Sequence, residues 1–277
     1  MKILITGANG QLGRELTNQY KGKKGIDLIL TDVSDLDIAN VDQVYSVVNK
    51  NKPDVIINCA ALTAVDKCET EIDMAYRINT IGPKNLAAAA NEIGAEIVQV
   101  STDYVFAGDV NQSLTEFDPV NPQTIYGKTK LEGEILVKNH NPKHYIIRTA
   151  WLYGDGNNFV KTMINLSKTN KTLKVVNDQR GTPTSTVDLA RVIIKLVEDK
   201  NYGLFHGTCK GECTWYEFTK EIFRLKGIDT EVLPCTTDEF KRPAKRPEYS
   251  VLRNYMLELT TGDITRTWQE AISEYLK

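Results

Sequence analysis

The stretch ITGANGQLGREL, residues 5–16, decides the fold of this chain. It places Gly7, Gly10 and Gly13 at G-x-x-G-x-x-G spacing, directly after the apolar run KILIT and at the start of a predicted helix. Glycine permits a tight turn there and lets backbone N–H groups approach a pyrophosphate at the positive end of the helix. A strand, a glycine turn and a helix in this order predict a dinucleotide-binding site. The alternative is an ordinary tight strand-to-helix turn.

Further β-rich runs follow, with helical segments between them. Together with KILIT at 2–6 they are DLILT at 27–31, DVIIN at 54–58, EIVQV at 96–100 and YIIRT at 145–149. Parallel strands need crossover connections, and strands buried on both faces are apolar throughout, so this alternation predicts an α/β fold with a doubly wound parallel sheet of Rossmann type.

The pattern loosens after residue 150 and divides the chain into two predicted parts. Residues 1–150 are expected to form the dinucleotide-binding domain, with its sheet completed by parts of 170–205. Residues 151–277 are expected to form mainly a smaller mixed α/β substrate domain.

Composition limits the classes of partner. The chain has 277 residues, 41% of them hydrophobic and 25% charged, with a formal net charge of -2 and a pI near 6.0. This balance gives no general attraction for nucleic acid or an anionic membrane surface, so neither is an expected partner. The opening MKILITGANG is too short in apolar residues for a signal-peptide core, and no later run approaches a membrane span. A cytoplasmic protein is therefore expected.

The cysteines predict neither a disulfide framework nor a metal site. Five cysteines in a chain of this length include no CxxC pair, so reduced thiols are expected. His206, Cys209 and Cys213 form the one metal-like grouping, and they lack a fourth ligand nearby. The prediction is no metal.

Asp32 follows the second predicted strand, nineteen positions after Gly13. An acidic side chain at this point can hydrogen-bond the adenosine ribose hydroxyls. The segment TDVSDLDIAN, residues 31–40, contains no lysine or arginine to attract a 2′-phosphate, so NADH is favoured and NADPH stays possible because Arg14 is adjacent. Asp32 could instead cap its own loop.

Tyr126 and Lys130 suggest the chemistry. They lie four residues apart where turn-rich sequence gives way to a predicted helix, so their side chains should point the same way. Thr102 ends a predicted strand and should face the same crevice. With a nicotinamide, these groups make a carbonyl-reduction site in which Tyr126 donates the proton and the Lys130 charge lowers the phenol pKa from about 10. The alternative is an amphipathic helix with a solvated lysine.

The sequence resembles a known family. The glycine spacing, STDYVF and the Tyr126/Lys130 pair are similar to the extended short-chain dehydrogenase/reductase superfamily. More narrowly, seven segments resemble the dTDP-4-dehydrorhamnose reductase family: GANGQLGREL, NCAALTAVDKCE, STDYVFAG, YGKTKLEGE, RTAWLYG, GNNFVKTM and NDQRGTPT. The resemblance implies reduction of the C4 ketone of dTDP-4-dehydro-6-deoxy-L-mannose to dTDP-L-rhamnose.

The resemblance also implies roles for individual residues. Tyr126 would donate the proton, Lys130 would bind the nicotinamide ribose, and Thr102 and Asp103 would touch the sugar. The other expected cofactor contacts are Gly10, Gln11 and Leu12 at the pyrophosphate, Asp32, Asp37 and Ile38 at the adenosine, and Ala61, Leu62 and Thr63 along the groove. Trp151 would pack on the substrate, with an ordinary core tryptophan as the alternative.

A basic loop near the end of the chain is the last candidate site. Its cations are Lys241, Arg242, Lys245 and Arg246, and Arg246 matches the family. Guanidinium groups match phosphate oxygens, so the loop could clamp the nucleotide diphosphate, or it could be a solvated loop.

One departure from the family concerns a metal. Some members hold magnesium at a dimer contact with a glutamate near Glu15 and acidic residues of a later helix, whereas this chain offers Asp188 and no glutamate there. No metal is therefore predicted, and a homodimer stays open.

Three alternatives remain. A nucleotide-sugar dehydratase would have Asp-Glu after the threonine, but this chain has Asp103-Tyr104. An epimerase would return its hydride and consume no net NADH. A non-catalytic regulatory subunit, like that of methionine adenosyltransferase, would keep the fold for binding alone.

Overall fold

A six-stranded parallel sheet forms the centre of the computed structural model, which describes residues 1–277. The strands lie in the order β10-β5-β4-β3-β1-β2, and the predicted α/β fold with a Rossmann-type parallel sheet is confirmed. The strands are β1 Lys2–Thr6, β2 Asp27–Thr31, β3 Val55–Asn58, β4 Glu96–Thr102, β5 His144–Thr149, β6 Leu152–Tyr153, β7 Thr172–Val176, β8 Arg180–Gly181, β9 Thr184–Ser185, β10 Gly203–His206, β11 Cys213–Thr214 and β12 Glu231–Cys235.

Eleven α-helices accompany the strands, and none is long and apolar enough to cross a membrane. They are α1 Gln11–Tyr20, α2 Val41–Asn51, α3 Val65–Cys68, α4 Ile72–Tyr76, α5 Gly82–Glu92, α6 Ile125–His140, α7 Phe159–Ser167, α8 Thr186–Asp199, α9 Trp215–Lys226, α10 Tyr255–Leu259 and α11 Trp268–Tyr275. A π-helical segment, Arg77–Ile81, joins α4 to α5, and Pro83 lies in the first turn of α5, where its missing N–H costs no helical bond.

Helices cover both faces of the sheet. On one face, Leu12 and Leu16 of α1 and Ile193 of α8 pack in a core cluster with β1 and β3. On the other face, α2, α5 and α6 contribute Val44, Leu86 and Val137, among others, to a second cluster. Because both faces are covered, the central strands are apolar on both sides, as their sequences require.

The later part of the chain builds a separate core. Tyr153, Phe218 and Trp268 belong to a cluster assembled from α7, α9 and α11, and a parallel pair β7/β12 lies beside it. Residues 203–206 return to the large sheet and pair with β5. The division of the chain into domains at residue 150 stays a prediction.

Candidate active site

A cavity of about 960 Å³ opens at the carboxyl ends of the central strands. Segments 10–13, 58–61, 100–104 and 149–152 line it from the sheet side. Segments 157–159, 174–176 and 240–250 contribute residues from the later part of the chain. Loops after parallel strands converge at this edge, which is where open α/β sheets bind ligands.

The glycine turn forms a cradle with no space for side chains. Gly7 has φ +63°, and a Cβ there would lie 2.8 Å from the Ala60 nitrogen. A Cβ on Gly13 would lie 2.4 Å from the Gly7 carbonyl oxygen. Gly10 caps α1 without a side-chain hydrogen bond, so the first amides of the helix have no side-chain partner from the cap. This cradle fits the pyrophosphate of a dinucleotide.

Asp32 lies beside the cradle and outside the cavity lining. Its Oδ2 accepts a hydrogen bond from the Asn9 N–H at 3.0 Å, and its Oδ1 accepts one from Val33 at 2.8 Å. The carboxylate therefore fixes the glycine loop and its own turn, as the capping alternative expects, and its side chain is half-buried.

Four other predicted cofactor residues do not line the cavity: Gly7, Asp37, Ile38 and Leu62. Ile38 is buried in the core, where a Cβ on Gly82 would lie 2.5 Å from its Cδ1. The Asp37 carboxylate accepts a hydrogen bond from Ala39, and Leu62 is hydrogen-bonded through its backbone to Asn79. By contrast, eight predicted cofactor residues do line the cavity: Gly10, Gln11, Leu12, Gly13, Ala61, Thr63, Tyr126 and Lys130.

Helix α6 brings Tyr126 and Lys130 into the cavity wall. Thr124 caps the helix by accepting a hydrogen bond from Gly127 N–H at 3.0 Å. A Cβ on Gly127 would lie 2.1 Å from the Tyr104 carbonyl oxygen, so glycine there lets α6 approach the end of β4. Tyr126 is 9% exposed and Lys130 is 3% exposed, with the ammonium donating to the Val100 carbonyl at 2.6 Å.

The expected lowering of the Tyr126 pKa is wrong for this cavity. Burial raises the pKa of the phenol above its ordinary value, because the phenolate would lose its hydration. Burial also lowers the pKa of Lys130 to about 8. Sequence spacing revealed which groups meet but not how little water reaches them.

Asp103 joins Thr102 at the end of β4. The Thr102 hydroxyl donates to Asp103 Oδ1 at 2.9 Å, and the other carboxylate oxygen is buried without a partner. Burial raises the pKa of Asp103 to about 6, against the opposing effect of the hydrogen bond from Thr102. Both predicted sugar contacts thus lie in the same wall as Tyr126.

Trp151 combines packing with access to the cavity. Its ring stacks on Trp215 with centroids 3.4 Å apart and an angle of 7° between planes. Gly181 lies against the ring, since a Cβ there would be 2.5 Å from Trp151 Cε2. Both tryptophans line the cavity, so the indole pair forms a rigid apolar wall. Trp215 was not singled out from the sequence.

Only two of the four cations of the basic loop lie at the cavity. Arg246 and Arg242 line the cavity, whereas Lys241 and Lys245 do not. Asp66 holds Arg246 through a salt bridge of 2.9 Å, and Arg246 Nη1 is buried without a partner. Asp66 was missed because its segment, NCAALTAVDKCE, was interpreted as a cofactor wall only.

Asp188 forms an ion pair with Arg266. It is fully buried and accepts two hydrogen bonds from the Arg266 guanidinium, at 2.9 and 2.7 Å, and one from the Arg266 backbone N–H at 3.4 Å. Glu15 accepts a hydrogen bond from Gln19 at 2.7 Å.

Comparison with known proteins identifies the family. The model of the RmlD substrate binding domain family matches residues 1–277. The chain belongs to this family.

Relatives of this RmlD-family chain carry consistent names. A crystal structure of a dTDP-4-dehydrorhamnose reductase from Clostridium acetobutylicum has 71% identity and a TM-score of 0.99, covering 100% of this chain and 98% of that one. A dTDP-4-dehydrorhamnose reductase from Bacillus anthracis, solved in complex with NADP, has 44% identity and a TM-score of 0.95, covering 99% and 98%. The spore coat polysaccharide biosynthesis protein SpsK of Bacillus subtilis is 44% identical over 100% of this chain and 97% of its own length. The predicted resemblance is confirmed.

Proposed function

We propose that this RmlD-family chain catalyses NAD(P)H-dependent reduction of the C4 ketone of dTDP-4-dehydro-6-deoxy-L-mannose, giving dTDP-L-rhamnose. The observation that carries this proposal is sequence identity of 71% and 44%, over at least 99% of this chain, to two solved proteins named dTDP-4-dehydrorhamnose reductase. The buried Thr102, Tyr126 and Lys130 in one cavity wall supply the groups that such a reduction needs.

The cradle of Gly7, Gly10 and Gly13 would hold the cofactor pyrophosphate, with Gln11 and Leu12 at the first turn of α1. When bound, the nicotinamide cofactor supplies the hydride. Asp32 would accept hydrogen bonds from the adenosine ribose, while Ala61 and Thr63 would line the groove. Asp37, Ile38 and Leu62 would act behind this surface rather than on it, because they lie outside the cavity.

Tyr126 would deliver a proton to the ketone oxygen as charge develops there. The Thr102 hydroxyl, which lies in the same cavity wall, would help to orient the ketone oxygen. The Lys130 ammonium, fixed on the Val100 carbonyl, would stabilise the phenolate left after proton transfer. Burial strengthens this charge interaction because water is excluded.

Other residues that line the same cavity would hold the nucleotide sugar. Arg246, held by Asp66 and with one nitrogen unpartnered, is suited to a diphosphate oxygen. Trp151 would present its ring to the sugar. Asp103 would accept a hydrogen bond from a sugar hydroxyl or, when protonated, donate one to it.

The deciding experiment follows nicotinamide absorbance when purified protein meets the 4-keto sugar nucleotide, with NADH and NADPH tested separately and the product identified by NMR. Stoichiometric oxidation with formation of dTDP-L-rhamnose supports the reductase. Product formation without net oxidation would indicate an epimerase. Cofactor binding without turnover would favour a regulatory subunit and overturn the proposal.

Replacing Asp32 tests the proposed preference for NADH. Asp32→Ser removes the carboxylate that would repel a 2′-phosphate, so the ratio of kcat/KM for NADH to that for NADPH should fall roughly tenfold, a change of about 1.4 kcal/mol. Asp27→Ser, at the exposed opposite end of β2, should leave the ratio unchanged. An unchanged ratio in Asp32→Ser would contradict the preference for NADH. The comparison matters because the Bacillus anthracis relative was solved in complex with NADP.

Replacing Arg246 tests the proposed diphosphate contact. Arg246→Met should raise the KM for the sugar nucleotide roughly 10- to 100-fold with a smaller change in kcat, because a charge-assisted hydrogen bond to a phosphate contributes about 1.5–3 kcal/mol. Lys241→Met, on the same loop but outside the cavity, should behave as wild type. Equal effects of the two substitutions would indicate general surface charge instead.

We also propose that the chain forms a homodimer. Helices α4 and α6 pack on each other, and each exposes a large apolar side chain, Met74 and Ile135. Burial of such surface favours association. Sedimentation of the purified protein at one monomer mass over the micromolar range would reject the dimer.

A further inference from the structure

One row of side chains runs along α6 from the cavity into the protein. Tyr126, Lys130 and Glu134 are spaced four residues apart, so each lies next to its neighbour on one face of the helix. All three are buried, at 9%, 3% and 5% exposure. The negative charge of Glu134 acts on Lys130, where it favours the ammonium form against the effect of burial.

Glu134 is fixed by Arg148 from the neighbouring strand β5. Arg148 donates from Nε to Glu134 Oε1 at 3.0 Å and from Nη2 to Oε2 at 2.7 Å, a bidentate pair with both side chains buried. The Arg148 guanidinium also lies 5.1 Å from the centre of the Phe106 ring, which holds its other side. The carboxylate therefore has little freedom to turn away from the helix row.

A buried ion pair is a poor choice for stability alone. Removing two charges from water costs several kcal/mol per ion, and apolar side chains of similar volume often serve the fold equally well. Lys130, meanwhile, makes one hydrogen bond to the protein, and its burial works against its charge. An anion placed one helical turn away compensates that cost.

We propose that Glu134, held by Arg148, is a positioning residue whose negative charge keeps Lys130, its neighbour on the helix, in the ammonium form. Glu134 touches neither cavity nor substrate, so it acts through Lys130. The inference rests on the proposed function, since it assigns a task to the lysine of that site.

Other ionisable groups face this row. Cys59 after β3 acts on Lys130, Asp103 after β4 and Cys68 of α3 act on Tyr126, and Glu116 and His206 lie near Arg148. Burial lowers the pKa of His206 to about 3 and raises that of Cys59 to about 12, so both side chains stay neutral over the pH range of the activity measurements. Asp103, with a pKa raised to about 6, titrates on the acidic side. The alkaline limb of the pH profile of kcat is therefore assigned to Lys130.

The decisive variant removes both partners, Glu134→Leu with Arg148→Met, because Glu134→Gln alone leaves a buried unpaired arginine and can fail to fold. Without the anion, the charged form of Lys130 loses support and its pKa falls further. The alkaline limb of kcat should move to lower pH, with roughly a tenfold loss near pH 8.5 and a smaller change near pH 6.5. Glu132→Gln, exposed on the same helix, is the matched control and should keep the wild-type profile.

A second readout does not depend on turnover. In cofactor-free protein labelled with ¹³C-lysine, the Lys130 signal, assigned by its loss in Lys130→Arg, should titrate at lower pH in the double variant than in wild type. A folded double variant with wild-type kcat profile and wild-type Lys130 titration would reduce the pair to a structural role and overturn the inference. A wild-type chain that oxidises neither cofactor would instead overturn the proposed function, and the titration would still decide the effect of Glu134 on Lys130.

Discussion

Tyr126→Phe is expected to reduce kcat roughly a thousandfold while leaving cofactor affinity near the wild-type value, because general acid catalysis by a positioned side chain contributes about 10²–10⁴. The phenylalanine ring fills the same buried space against Tyr104, whose ring centroid lies 5.5 Å away, so the cavity should keep its shape. What is lost is the hydroxyl that we propose passes a proton to the ketone oxygen.

Single-turnover absorbance with saturating NADH measures this loss, and calorimetry measures cofactor binding in the same preparation. Tyr76→Phe is the matched control, since this tyrosine is 38% exposed on α4 and lies outside the cavity lining. A Tyr126→Phe variant with more than a tenth of wild-type kcat would reject Tyr126 as proton donor. Thr102 or a bound water would then have to deliver the proton.

Gly13→Ala should abolish measurable cofactor binding and lower stability as well. The added methyl would overlap the Gly7 carbonyl oxygen at 2.4 Å and Ala8 Cα at 2.7 Å, both of them backbone atoms that cannot rotate away. The turn must open to relieve the clash, and overpacking of this kind costs about 1–3 kcal/mol. An opened turn no longer aims its amides at one phosphate position.

Titration calorimetry with NADH and a thermal melt distinguish binding from folding. Gly22→Asn offers a control in which φ is also positive, at +81°, but no atom lies within 4 Å of the added Cβ, and asparagine tolerates this conformation. It should bind cofactor as wild type does. If Gly13→Ala binds NADH normally, the cradle is not the pyrophosphate site.

Local signals in the sequence were enough to predict the parallel sheet and the glycine turn. KILIT, DLILT and EIVQV are short, apolar runs with helical segments between them, and their strands begin at the predicted residues. Tyr126 and Lys130 could be paired because helical spacing is fixed by geometry. These features depend on neighbours within a few residues.

Features that join distant segments could not be inferred in this way. Asp66 meets Arg246 across 180 residues, and Trp151, between β5 and β6, stacks on Trp215 at the start of α9. The direction of the Tyr126 pKa depended on how completely the cavity excludes water, which no local pattern reports. Asp37 and Ile38 were placed at the adenosine by resemblance alone, yet their contacts lie in the loop and the core.

The sixth strand of the sheet has a consequence for synthesis of the protein on the ribosome. Because β10 covers β5 and α8 packs beside α1 on the core of β1 and β3, a nascent chain that has reached residue 150 has an open sheet edge and one apolar face that only α1 covers. Leu257 of α10 joins the same core later still. The nascent chain therefore stays incompletely folded and prone to aggregation until most of its length has emerged from the ribosome. A slow rate of elongation would lengthen this period.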